Sequence, residues 1–351
     1  MTKAEVIASF DPNGVGLRNG HFIGLPFTED TAELILLSIP WDVTVSYRAG
    51  TSTGPANILQ ASVQLDLFDP DVEAAWKLGI YFQPPAADIA ARNDALRPIA
   101  EQYIEFLENG GELAASPFFQ RAREEINHAC AELKERIRAS ALKVLQQGKL
   151  LGLVGGDHST PLGFLEALAE TYPSFGVLHI DAHMDLREAY EGFRYSHASI
   201  FFNALKLEAL TQLTQVGIRD FCAEEWEQAQ SQGKRMAVFF DQDLCEGRFQ
   251  GKTWHEQCLD IIATLPENVY ISFDVDGLDP SLCPHTGTPV PGGLSLGEAL
   301  YLIKQVALSG RKIIGFDLNE TAGLGHEWDG NVGARVLYKL CNWMGRTQGR
   351  I

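Results

Sequence analysis

Short runs of aliphatic and aromatic residues recur along the chain, and most of them close on an acid. They are ELILLSIP (33–40), KLLGLVGG (149–156), FGVLHIDAH (175–183), LTQVGIRD (213–220), MAVFFDQD (236–243), NVYISFDVD (268–276) and KIIGFDLNE (312–320). Helical patterns separate them. GPANILQAS begins after Thr53, with Pro55 suited to a first helical position; 117–148 repeats apolar residues near i, i+3, i+4 and i+7; 295–310 opens on Ser295 and Glu298, a capping-box pair. Strands alternating with helices imply βαβ crossovers and an α/β fold with a mainly parallel sheet covered on both faces.

Residues 1–32 and about 66–116 are different, rich in Pro, Gly and aromatics (FDPDVEAAWKLGIYFQPPAAD). They read as an N-terminal extension and an insertion on a single domain spanning 1–351, since no linker, low-complexity tract or repeat divides the chain.

A parallel sheet gathers its functional groups at the C-terminal ends of its strands. Here those ends carry GGDHS (Asp157, His158), DAHMD (Asp181, His183, Asp185), DVDGLD (Asp274, Asp276, Asp279) and DLNE (Asp317, Glu320). Crowded carboxylates repel one another and resist ionisation unless a cation compensates them, and a divalent metal supplies that compensation. In an extended segment, period-two spacing sends Asp181, His183 and Asp185 to one side, and Asp274 and Asp276 likewise. Mixed imidazole and carboxylate ligands suit Mn, Fe, Ni, Co or Zn, while the absence of thiolate disfavours a structural zinc site. A single DxD at a strand end is as well explained by a cap or turn acid; the whole set in this order is not. His179 is in phase with these residues but deeper in its strand, which makes it a supporting group.

The formal charge of −18 argues against a nucleic-acid partner, because Lys and Arg must replace phosphate counterions, and mildly favours a cationic small molecule. Six cysteines without a CxxC pair form neither a disulfide framework nor a zinc ribbon, which fits a cytoplasmic protein. The N-terminal MTKAEVIASFDPNGVG lacks an apolar signal region, and no apolar run approaches the roughly 18 residues of a membrane span.

GGDHS (155–159), DAHMD (181–185), SHAS (196–199), SFDVDGLDPS (272–281), TGTPVPGG (286–293) and the final Glu of DLNE (317–320) together resemble the ureohydrolase family, the arginase and agmatinase group. The resemblance covers roughly 34–64 and 145–345. It implies a three-layer α/β/α fold with two metal ions, manganese first and nickel second, at the sheet's C-terminal edge. By motif position, His158, Asp181, Asp185 and Asp274 would hold one ion, and His183, Asp181, Asp274 and Asp276 the other, with Asp181 and Asp274 bridging. Two ions sharing a water lower its pKa, giving a nucleophile for the poorly electrophilic guanidinium carbon. Asp185 would relay the proton, His197 would deliver it to the leaving amine, and Glu320 would pair with the guanidinium. The family also implies a homo-oligomer, a trimer or hexamer.

The loop LREAYEGFRYSHAS (186–199) carries Arg187 where arginase-like chains place an Asn that reads the amino-acid end of L-arginine. DLR, YEG and YSHAS are similar to the agmatinase branch, so agmatine, cleaved to putrescine and urea, ranks first. Guanidine or a small alkylguanidine ranks second, with residues 66–116 narrowing the pocket mouth, and a guanidino acid paired with Arg187 third. A non-catalytic metal-stabilised scaffold needs neither His197 nor Glu320. Arg187, Tyr190 and His285 are the remaining candidate substrate contacts.

Overall fold

Eight strands form one sheet in the computed structural model, which describes residues 1–351. They are β1 (Leu34–Ile39), β2 (Ile80–Phe82), β3 (Leu150–Gly155), β4 (Phe175–Ile180), β5 (Leu210–Ile218), β6 (Met236–Phe240), β7 (Asn268–Asp274) and β8 (Lys312–Asn319). Their spatial order is β2-β1-β3-β8-β7-β4-β5-β6, and every pairing is parallel. β1, β3 and β4 are buried at every position, as strands covered on both faces must be.

The covering helices form two packed groups. Gly54–Ala61, Trp254–Thr264, Leu296–Leu308 and Glu327–Thr347 make one; Ala87–Glu108, Pro117–Gln146 and Leu162–Thr171 make the other. Pro55 stands in the first turn of its helix, and Ser295 and Glu298 form the expected reciprocal cap. The long helix buries Ile126, Cys130, Leu133, Ile137, Ala141 and Val144, a stripe at three- to four-residue spacing. One apolar cluster runs from Val6 to Met344 through both helix groups and the sheet between them.

Two segments depart from the sequence reading. The MAVFFDQD run is strand only to Phe240: a helix (Asp241–Phe249) starts at Asp241, with Asp241 and Asp243 in its positively polarised first turn. The 66–116 stretch supplies the edge strand β2 and the 22-residue helix Ala87–Glu108, which continues through Pro98. Phe22, Ile23, Leu25 and Phe27 are buried beside that edge, with the Phe22 ring 6.0 Å from that of Phe82.

Candidate metal centre and substrate cleft

Four adjacent strands in the middle of the sheet, β3, β8, β7 and β4, end on the same edge and bring their terminal acids together. Close backbone approach requires glycine at two of these turns. A Cβ on Gly156 would lie 2.0 Å from the Trp41 carbonyl oxygen, and one on Gly277 would lie 2.7 Å from the Asp181 nitrogen. The GG of GGDHS and the G of DVDGLD are therefore what let the strands' acids converge.

The convergence has two foci. His158 Nδ1 lies 3.0 Å from Asp181 Oδ2, 3.2 Å from Asp185 Oδ2 and 3.2 Å from Asp274 Oδ2. His183 Nδ1 lies 3.4 Å from Asp181 Oδ1 and 3.1 Å from Asp276 Oδ2. Asp181 thus offers one oxygen to each focus. Asp274 offers Oδ2 to the first, while its Oδ1 accepts the Asp276 N–H at 2.8 Å. All of these residues are buried except His183, which is partly so.

The crowding acts unevenly on the acids: burial works against charge on Asp181, yet His179, His158 and His183 hold it well below the usual carboxylate range. Burial, then the Asp181 charge, pushes Asp185 up to about 7; burial, then Asp276 and Asp181, holds Asp274 well above the usual carboxylate range. Burial also raises Glu320, with Asp274 and Asp157 adding to it. Burial works against charge on His158 and His183, yet the surrounding carboxylates hold both imidazoles well above their ordinary value. The site is a dry set of carboxylate oxygens and imidazole nitrogens, with no thiolate, suited to divalent ions.

The surrounding bonds fix which nitrogen faces each focus. His158 Nε2 meets Ser272 Oγ at 2.8 Å, and Ser272 donates to Asp317 Oδ1 at 3.0 Å, which leaves Nδ1 free to act as a ligand. Asp317 in turn accepts from Asn319, whose Oδ1 accepts from Thr160 Oγ1. Gln215 Nε2 donates to the Met184 carbonyl at 2.7 Å and meets His179 Nδ1 at 2.9 Å, so His179 Nδ1 accepts and its Nε2–H is directed at Asp181 Oδ2, 2.7 Å away. His179 is therefore a hydrogen-bond donor to Asp181, in the supporting position its depth in the strand predicted.

Above the foci opens a cleft of about 260 Å³ with His183, Asp185 and His197 among its walls. Ser46 and Tyr47 line it from the loop after β1; Arg187 and Tyr190 from the loop after β4; Asp220, Phe221 and Glu225 from beyond β5; Thr288, Pro289 and Val290 from the loop after β7. His197 Nε2 is 3.5 Å from Ser46 Oγ. Burial, reinforced by His183 and His158, pushes the His197 imidazole down to about 3. Glu320 accepts the His158 N–H on Oε1 at 3.0 Å, while its buried Oε2 has no partner and faces Gly287, where a Cβ would come within 2.9 Å. Both Asp185 (φ 56) and Glu320 (φ 61) have left-handed backbones.

The sequence profile of the Arginase family matches residues 32–341. The chain belongs to the arginase family. An N(1)-aminopropylagmatine ureohydrolase of Thermus thermophilus is 31% identical over 328 residues, covering 92% of this chain and 94% of that protein. An agmatinase of Bacillus anthracis is 31% identical over 294 residues, 84% of each. In structure, a hypothetical agmatinase from Burkholderia thailandensis superposes with a TM-score of 0.71 at 24% identity, covering 96% of this chain and 94% of the other, which shows the shared fold. As an arginase-family ureohydrolase the protein is a hydrolase of C–N bonds, in a family that depends on a binuclear metal centre.

Within this arginase-family protein, His158, Asp181, His183, Asp185, Asp274, Asp276, His197 and Glu320 lie together as their motifs predicted, and Arg187 and Tyr190 line the cleft. His285 does not line it. Its Nδ1 and backbone N–H engage the buried Asp329 at 2.9 and 3.0 Å, and its ring stacks on His326. Residues 66–116 do not narrow the mouth either, for none of them lines the cleft. They brace it from behind: Arg97 donates to the carbonyls of Val43 and Val45, Asn93 pairs with Asp42, and Tyr103 donates to the Glu191 carbonyl. Neither Glu188 nor Glu191 pairs with Arg187; Glu225 Oε2 lies 3.7 Å from its Nε, and the guanidinium stacks 4.7 Å above the Tyr190 ring. Sequence reasoning missed Ser46, Tyr47, Asp220 and Glu225. Asp220 carried a usable signal, since it follows a strand as the other acids do, and Glu225 stands at the third position of a helix it caps.

Proposed function

We propose that residues 1–351 form a single ureohydrolase domain that uses two divalent ions to hydrolyse an agmatine-like guanidino compound to urea and an amine, agmatine to putrescine foremost. The observation that carries this reading is the pairing of two His/Asp foci with an unpartnered buried carboxylate oxygen, Glu320 Oε2, beside them. His158, Asp181, Asp185 and Asp274 would hold one ion and His183, Asp181, Asp274 and Asp276 the other, manganese ranking before nickel. When bound, such ions offset the carboxylate charge and acidify water at the site.

The chain's own groups do the rest. Glu320 Oε2 accepts N–H bonds from the guanidinium and holds its carbon over the foci. Asp185, in the cleft floor, orients the attacking water and takes its proton. His197, in the cleft wall with Nε2 3.5 Å from Ser46 Oγ, passes that proton on to the departing nitrogen, so that R–NH–C(NH2)2+ and water give urea and R–NH3+. Guanidine is the second reading, favoured by Arg187: a fixed cation in the cleft wall opposes a substrate with a positive tail on that side. The family resemblance supports a trimer or hexamer, and the cysteine usage supports a cytoplasmic location.

The test is urea release by the manganese- or nickel-loaded protein from agmatine, N(1)-aminopropylagmatine, guanidine, arginine and 4-guanidinobutyrate. Release from agmatine is expected. No urea from any of them, with metal bound, would sink the enzymatic reading in favour of a scaffold.

A further inference from the structure

The charged groups around the cleft differ in whether they are already engaged. Arg187 is held between the Tyr190 ring and Glu225. Glu225 is buried and occupied, accepting the N–H groups of Leu186 at 3.1 Å and Cys222 at 3.0 Å besides facing Arg187. Arg219, next in sequence to Asp220, directs its guanidinium at the carbonyls of Gly217, Asp276, Leu278 and Val290. Asp185 belongs to the first focus. Asp220 alone among the cleft acids is uncommitted: its carboxylate makes no hydrogen bond, the nearest cationic group is His183 Nε2 at 4.0 Å, and its side chain is 69% exposed. Its backbone, by contrast, is fixed. The Arg219 and Asp220 N–H groups both donate to the Ala182 carbonyl, at 2.8 and 3.1 Å, which sets Asp220 beside His183 at the rim.

We infer that Asp220 is a specificity-determining residue that receives an ammonium group on the tail of the guanidino substrate. This rests on the ureohydrolase reading and narrows it. With the guanidinium held by Glu320 below, the free anion at the rim favours a chain ending in a cation. It disfavours one ending in a carboxylate, and it leaves guanidine, which has no tail, without that contact. Arg187 repels a second cation from its own side of the cleft and so reinforces the direction.

The test compares the metal-loaded full-length wild type with Asp220→Asn and Asp220→Lys, measuring kcat/KM for agmatine, guanidine and 4-guanidinobutyrate together with metal content. For Asp220→Asn the agmatine-to-guanidine ratio should fall about two- to fivefold, through KM, as for loss of an exposed ion pair. Asp220→Lys should move preference toward 4-guanidinobutyrate. An unchanged ratio overturns the inference. So does an equal loss on both substrates or a loss of metal, since either places Asp220 in support of His183. If the wild type turns over guanidine but not agmatine, the inference fails while the ureohydrolase reading stands. If it releases no urea at all, calorimetric binding of agmatine to the loaded wild type and Asp220→Asn still decides: equal binding, or none, refutes the role of Asp220.

Discussion

Ser272 offers no ligand atom to either focus, yet its removal should weaken metal binding. Its hydroxyl spans His158 Nε2 (2.8 Å) and Asp317 Oδ1 (3.0 Å); in Ser272→Ala those two atoms remain 3.6 Å apart, too far for a direct hydrogen bond. Both are buried, so the imidazole N–H loses its only partner while Asp317 keeps Asn319. One stranded buried donor costs about 1–3 kcal/mol, less whatever a small ring rotation recovers. The imidazole also loses what fixes its tautomer. Loss of such an outer partner lowers metal affinity about 10- to 100-fold, equivalent to about 1.4–2.8 kcal/mol. Competition against a chromogenic chelator measures the affinity, and a thermal melt of metal-stripped protein separates simple destabilisation. If the stripped variant melts earlier but binds manganese within about twofold of wild type, the chain of bonds serves packing alone and the argument is wrong.

Asp276→Ala should lower metal content and activity together, because His183 Nδ1 keeps only Asp181 beside it; full activity at normal occupancy would refute the ligand assignment. Glu320→Gln should retain metal and lose about 10²–10³ in kcat/KM for guanidino substrates, the scale of removing one preorganised polar partner; metal loss would instead make Glu320 a structural acid. Asp185, pushed up to about 7 by burial and then by Asp181, binds a proton that a cation must displace. Calorimetry in buffers of different ionisation enthalpy should therefore show proton release on metal uptake, with apparent affinity climbing from about pH 6 to about pH 8. A flat profile would contradict it. For this group in the metal-free protein, the folded chain keeps a proton that the unfolded chain loses near pH 4. Its contribution to stability therefore declines from about pH 4 to about pH 7.

The residues that meet at the centre were legible because each sits at a strand's end, where sequence position and spatial position coincide. β2 was not: three residues, Ile80–Phe82, carry too little pattern to stand out among prolines, and the strand exists because β1 offers it a parallel edge. Helix Ala87–Glu108 was obscured by Pro98 within it and by the PPAA before it. His285 was misjudged for a related reason. It neighbours TGTP in sequence, but its partner Asp329 stands 44 residues on, and no local pattern encodes that pair. Glu225 and Asp220 reach the cleft from beyond the motifs, so their relation to Arg187 and His183 emerges only when β5 lies beside β4.

The left-handed backbone at Glu320 implies a conflict between robustness and turnover. A side chain of this size costs about 1–3 kcal/mol in that conformation, whereas glycine adopts it freely. Replacing Glu320 with glycine also deletes a buried, unpartnered carboxylate oxygen. Against this, glycine would strand the His158 N–H that Glu320 Oε1 accepts, about 1–3 kcal/mol, so a library selected only for heat resistance would tolerate glycine at 320 and lose the proposed partner of the guanidinium. Stabilisation of this enzyme has to be screened for urea release at every round, since a strained, buried carboxylate stands beside its His/Asp foci.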